Sequence, residues 1–444
     1  MSQATSTQDR YLAAFEHAFD DGDAAWVREL RRQALDRFSH LGFPTVRRGN
    51  EAWKYTNVAP IASGVFDYDD AMDDSGVDLA SIAKRVPWDE DWPRLLFVNG
   101  RYSKSLSSLP IASTGGGPRL ANLAEVIDSD SVVAEPHLAR LASFDDDGFT
   151  ALNTAFIRDG AFIHLPDDTS LKNPVHVVFV ATARPEPTVS HGRSLILAGR
   201  NSRLQVIESF INLTDKPYFT NAVTEIVAGE GSSIEHHKVQ LEGPTAFHVG
   251  TIQVRQAKDS VFTSTSVAAG GALARTNLTV LLDGPGSSCT LNGLSFTSGS
   301  QHVDNNTSID HLQPRTTSRQ NYKSILDDNS RAVFGGRVRV LEQATKADAV
   351  QTDKNLLLSK GAEADTKPSL EIYTDDVKAS HGATAGRLDE NAMFYLMSRG
   401  LDDESARGIL VSAFAAEIID TVSIKPLHSF LSTLFSRAVS EKRA

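Results

Sequence analysis

At 444 residues the chain is too long for one compact core, so it requires several folding units or one elongated repeat with attachments. Its 41% hydrophobic and 23% charged residues are those of an ordinary globular protein, and its net charge of −12 speaks against general nucleic-acid binding, which needs Lys and Arg to neutralise phosphates. The single cysteine, Cys289, rules out an internal disulfide and any all-cysteine zinc or iron–sulfur site supplied by this chain alone.

The opening "MSQATSTQDRYLAAF" has no basic stretch followed by an apolar run, and no run approaches the length that crosses a bilayer. A cytoplasmic protein is expected. Helical periodicity appears first at Tyr11, Phe15 and Phe19, then at Trp26, Leu30, Ala34, Phe38 and Leu41, with Asp23 as N-cap and Gly42 and Pro44 as stop. The aromatics are expected to pack these two helices together. "GNEAWKYTNVAP" from Gly49 and an acidic loop from Asp67 to Asp78 follow. "LLFVNGRYSKSL" carries Asn99-Gly100 between apolar runs, a hairpin signal, and "ANLAEVI" from Ala121 reads as a short helix. These pieces form an N-terminal helical and mixed region, residues 1–150.

From about Ala161 to Tyr373 short runs rich in Val, Ile, Thr and Phe alternate with turn clusters. The turns "AGRNS", "AGEGS", "AKDS", "DGPGS" and "DDNS" recur at a spacing of two strands and two turns, with a longer last interval. One such unit cannot bury its own apolar face, so stacking of coils into a β-solenoid is expected over 151–376, with a sandwich or barrel as the competing arrangement. Residues 377–444 turn helical again. Asp389 caps "ENAMFYLMSR", which Gly400 ends, and Asp402 caps a helix striped by Ala406, Ile409, Leu410, Ala413, Phe414 and Ile418. A third helix from Pro426 carries Leu427, Phe430, Leu431, Leu434, Phe435 and Ala438. The stripes can pack on each other, on the β body or on a partner.

The thirteen histidines invite a search for metal sites. His236 and His237 are adjacent on a strand and point to opposite faces, so they do not share a metal. His302 and Asp304 share a face near His311, without a third ligand in view; a structural role is favoured. The pairs Asp327–Asp328 and Asp375–Asp376 read as turn residues, and Cys289 as a buried inert thiol. No P-loop, dinucleotide fingerprint, nucleophile elbow or HExxH is present. No self-sufficient active site emerges, and the chain is expected not to be an enzyme.

The stretch "SHGATAGRLDENAMFYLMSRG", with "EAWKYTNV" and "FTALNTAFIRDGAFIHLP" in the same order, resembles the SufB/SufD family of iron–sulfur cluster assembly scaffold proteins, on its SufD branch. The resemblance implies a right-handed parallel β-helix flanked by helices. It implies a SufB-like scaffold partner at the β-helix end and a SufC-like ATPase on the C-terminal helices, with a homodimer for the isolated chain. SufB relatives carry a cysteine in a "QCDS"-like segment and a Glu-His-Glu triplet; the matching places here hold Thr352 and Ser380, His381 and Gly382. Some SufD relatives have a cysteine where Ala379 stands. His381 is therefore the one metal ligand the resemblance carries over, toward iron or a nascent cluster shared with SufB and not held by this chain alone. The rival expectations are a β-solenoid carbohydrate-active enzyme and a homodimeric metal-binding protein.

Overall fold

The computed structural model describes residues 7–19, 23–46, 50–68, 73–109 and 116–440. Gly49, residues 69–72 of the acidic loop, the first six residues and the Ala438 side chain, all weighed in the sequence, lie outside that description.

Strands from Ala161 to Gly386 pair in parallel within two sheets stacked as a β-solenoid of about eight turns, and four earlier strands between Asp67 and Asn122 bring the sheets to eleven and ten strands. Side-chain hydrogen bonds between successive coils span 28 to 34 residues, which is the recurrence seen in the turn clusters. The turns recur for a backbone reason. Asn201, Gly231, Asp259, Gly286 and Asp328, one in each of the five clusters, all take φ between +53° and +76°, a region that Gly, Asn and Asp tolerate. The last strand, Val377–Gly386, begins just past the sequence boundary at 376, so the solenoid runs ten residues into the region assigned to helices.

Between the sheets lies an apolar core that includes Val206, Phe210, Ile226, Ile252, Phe262, Leu278, Leu291 and Ile309. The outer faces are covered from opposite ends of the chain. Helices Thr7–Ala18, Ala25–Leu41 and Gly148–Ala155 pack over Phe219, Val249 and Leu273 of the eleven-stranded sheet. Tyr11 and Phe38 meet edge to face at 6.1 Å, joining the first two helices as expected, and Phe43 and Phe156 complete the cluster. Asp23 does not cap: the second helix starts at Ala25 without a side-chain cap, and Asp23 instead pairs with buried Arg31 at 2.5 Å. The Asn99-Gly100 hairpin forms, pairing Phe97 with Tyr102.

"EAWKYTNV" is a clamp. The Arg275 guanidinium stacks 3.8 Å over the Trp53 ring and pairs with Asp304, which also accepts a hydrogen bond from the Thr56 hydroxyl. A buried arginine of the solenoid is thereby satisfied by the N-terminal segment.

Helices Asp403–Ile419 and Lys425–Ser440 lie across the outer face of the ten-stranded sheet. Val411, Ala415, Ile418, Leu427, Leu431 and Phe435 meet Ile207, Val239, Val267, Leu294 and Ile325 there. The face buried on the first helix is thus Ala406, Val411, Ala415, Ile418 and Ile419, so Ile409 and Ala413 of the expected stripe stay exposed, while Leu427, Leu431 and Phe435 of the second stripe are buried against the sheet. Lys323 pins the first of these helices by donating to the Phe414 carbonyl at 2.9 Å and pairing with Glu417.

Candidate functional site at the open end of the solenoid

The two ends of the solenoid differ. At the first end antiparallel strands close both sheets: Arg119–Asn122 pairs with Ala161–Leu165, and Arg94–Val98 turns back through its hairpin. At the other end Glu363–Ile372 and Val377–Gly386 each pair with one preceding strand and, among the described residues, have no neighbour beyond. Such an edge is a row of backbone donors and acceptors without partners, which proteins either blunt or use. Pro368 blunts the first of these edges, since it has no N–H to offer. "VKASHGATAG" on the second contains no proline.

His381 stands exposed in the middle of that last strand. Its register partner is Gln351, and Thr352 is beside Gly382. The two segments singled out by the resemblance therefore lie side by side. In the preceding strand Ala347, Ala349, Gln351, Asp353 and Asn355 are buried while the intervening residues are half-buried, so this parity faces the interior. His381 shares it, between Ala379 and Ala383.

Behind His381 the interior is polar. Asn355 Nδ2 donates to Asp353 Oδ2 at 2.6 Å. Burial pushes the Asp353 carboxyl up to about 6, against the hydrogen bond of Asn355 and the lowering influence of the Thr366 hydroxyl on the facing sheet, which itself makes no hydrogen bond among the described residues. Asp353 Oδ1, both amide atoms of Gln351 and Nε2 of Gln320 are buried without a hydrogen-bond partner. Gln351 reaches across the interior: a Cβ at Gly336, on the opposite sheet, would stand 1.8 Å from Gln351 Nε2.

A second polar group occupies the interior nearer the closed end. The Glu208 carboxylate accepts from Ser194 at 2.7 Å and Thr224 at 2.9 Å and meets His236 Nε2 at 2.9 Å. Burial raises its pKa, and these partners more than offset that, so its carboxyl lies below the ordinary range. Lys238, lowered to about 8 by burial, donates to Thr276 at 2.7 Å. Glu242 accepts from Thr220 at 2.6 Å and lies 2.7 Å from His248 Nδ1. Sequence reading missed this network, because an acid or lysine in an alternating strand reads as solvent-facing.

The other candidates fall to structural roles. His236 points inward, whereas His237 bonds Glu235 at 3.0 Å on the other face. Thr56 meets both His302 and Asp304, on the outer face, while His311 is interior, bonded to Thr316 and Ser318. Cys289 is in the core, and burial pushes its thiol far up. Among the described residues no three His, Cys, Asp or Glu side chains cluster as a metal site.

Two family models cover the chain: the SufBD protein N-terminal region over residues 3–177, and the SUF system FeS cluster assembly SufBD core domain over 179–414. The chain belongs to the SufBD family. It is similar to an iron–sulfur cluster assembly SufBD family protein of Synechocystis, with 32% identity covering 95% of this chain and 94% of the relative. It is also similar to the iron–sulfur cluster assembly protein SufD of Escherichia coli, 32% identical with 88% of each chain covered. SufD of Bacillus subtilis is 25% identical over 98% of each. The SufBD core model starts after the closing strands, which fall in the N-terminal region model, runs through the open end of the solenoid and ends within the first long C-terminal helix. Among the described residues no helix is long and apolar enough to cross a membrane.

Proposed function

We propose that this SufBD protein is a cytoplasmic, non-catalytic scaffold subunit of a SufB–SufC–SufD type complex. The observation that carries the reading is the unpaired last strand. A SufB-type partner adds its own strand edge to Val377–Gly386 by β-augmentation, and the junction encloses His381. The glycines and alanines around His381 let a second backbone come close, and the imidazole is a good ligand for iron. This chain offers no thiolate there, so thiolates for a nascent cluster, the assembly's cargo, come from the partner. In the isolated chain the same edge supports a homodimer.

A SufC-type ATPase docks on helix Glu390–Ser398. That helix buries none of its residues, and it presents Phe394, Tyr395 and Met397 at 75%, 57% and 44% exposure, beside Ile409 at 47%. An open cleft of about 530 Å³ between it and the solenoid is lined by Leu358, Arg387, Leu388, Met393, Phe394 and Arg407. A contiguous apolar surface rimmed by charge is the ordinary composition of a docking site. The buried faces of the two longer helices contribute mainly by holding this helix in place.

Co-expression with SufB- and SufC-type proteins tests the reading. A stable three-component assembly is expected, and Ala383→Pro on the last strand should abolish capture of the SufB-type subunit while leaving the isolated chain's melting temperature within a few degrees. Recovery of a free monomer only, or an assembly indifferent to Ala383→Pro, overturns it.

A further inference from the structure

The polar groups behind His381 are buried and short of partners, and they lie beside the unpaired edge strand. Asp353 and Gln351 are each 1% exposed and Gln320 is 2% exposed. An unpaired polar atom in such a place costs about 1–3 kcal/mol, and a bound ion or ordered water is one way a folded chain satisfies several together. Asn355 holds Asp353 Oδ2 and leaves Oδ1 free. Gly336 leaves room for the Gln351 carboxamide, and any larger residue there would displace it. Tyr322, the register partner of Asp353, is packed against Phe334 at 4.9 Å and closes the chamber from the core side. The rim carries the imidazole of His381.

We propose that this chamber is the inner half of a cation site, in which Asp353 Oδ1 and the Gln351 carboxamide bind a divalent first-row metal ion of the Fe2+ class that His381 holds from the rim. The inference rests on the reading of His381 as a metal ligand and adds to it the oxygen donors lying inward of it. One carboxylate, one neutral amide oxygen and one imidazole form a mixed oxygen and nitrogen set, suited to Fe2+ or Mn2+ and unsuited to holding a thiolate-ligated cluster. The N–H groups of Gln351 and Gln320 are placed to donate to the ion's water ligands. His381 lies on the edge strand where a partner pairs, so an ion held beside it sits inside the complex and next to whatever that partner supplies.

The probe is Mn2+ titrated anaerobically into the full-length isolated chain, followed by calorimetry and by the loss of the free-ion electron paramagnetic resonance signal. One saturable site is expected. Asp353→Asn should weaken it at least tenfold, Gly336→Leu should abolish it by filling the chamber, and His381→Ala should weaken it as well; a melting curve on each variant confirms folding. Weakening by Asp353→Asn with His381→Ala unchanged supports the chamber and sinks the ligand role of His381. Weakening by His381→Ala with Asp353→Asn unchanged overturns the chamber and leaves His381 standing. Calorimetric silence in the unaltered chain, the result of a chamber that holds water only, also overturns it. Should Gly336→Leu fail to fold, Gln351→Leu replaces it, with the same expected loss.

Discussion

The solenoid treats its two ends as opposites. Near the closed end, antiparallel strands cap both sheets, and the ionisable groups between them, Glu208, His236, Lys238 and Glu242, are bonded to one another or to hydroxyls. At the other end the strands stop without a cap among the described residues, and there the buried polar atoms of Gln320, Gln351 and Asp353 lack partners. The same coil, built from the same kind of turns, is finished in one place and left incomplete in the other. The difference locates function. Buried charged groups bonded to one another fix one arrangement of the core, while unsatisfied atoms beside an unpaired edge await a ligand and a partner.

The largest effect that would test this contrast is expected at the closed end. Glu208→Ala removes the acceptor of Ser194, Thr224 and His236 together, leaving an imidazole and two hydroxyls buried without it. A loss of about 3–5 kcal/mol is expected in urea unfolding of the isolated chain. A loss under about 1 kcal/mol would show that water reaches the network and that the two ends are alike.

The open end should respond with the opposite sign. Asp353 has its carboxyl raised to about 6 chiefly by burial, above an unfolded value of about 3.9. Its ionisation therefore opposes folding: stability is greatest below about pH 4 and declines as the pH rises through 6. In the metal-free chain Asp353→Asn should raise stability at pH 7 by about 2 kcal/mol and flatten the decline between pH 4 and 6. A variant less stable than the parent at pH 7 would mean that Asp353 is a satisfied member of the core like Glu208. The comparison between the ends would then fail.

Much of the architecture was legible before any coordinates. The five turn clusters announce the coil because each needs one residue with positive φ, and that requirement restricts the position to Asn, Asp or Gly. The caps Asp389 and Asp402 also behave as read, accepting from Ala392 and Ser405 backbone N–H groups. Asp23 was misread because an ion pair with Arg31 competes for the carboxylate that would have capped. The interior network was not legible at all. Alternation shows that Glu208 and Phe210 share a face but not whether that face meets water, and with both sheets covered on the outside as well, neither parity does. His381 was found through the family motif; the oxygen donors behind it come into view only once strand register brings residues 351 and 353 beside it.

The smallest expected effect concerns how the helical tail is held, on the outer face of the strand that carries His236. Glu235, on the outer face, meets His237 at 3.0 Å and accepts from Gln205 at 2.7 Å and from Ser423, just ahead of the last helix, at 2.8 Å. Burial would raise its carboxyl, and His237 with these donors overcomes it, so the pKa falls to about 2. A depressed acid stabilises the fold above its unfolded value of about 4.3, and that contribution is lost as the pH falls toward 2. Because the site is partly open to solvent, screening reduces it to about 1 kcal/mol. Glu235→Gln should therefore lower stability by about that amount at pH 7 and remove part of the acid dependence between pH 4 and 2, as read by urea unfolding across that range. Mn2+ binding should not change, since Glu235 faces away from the interior. A Glu235→Gln chain that lost metal binding would connect the tail to the open end and make the helices part of the site.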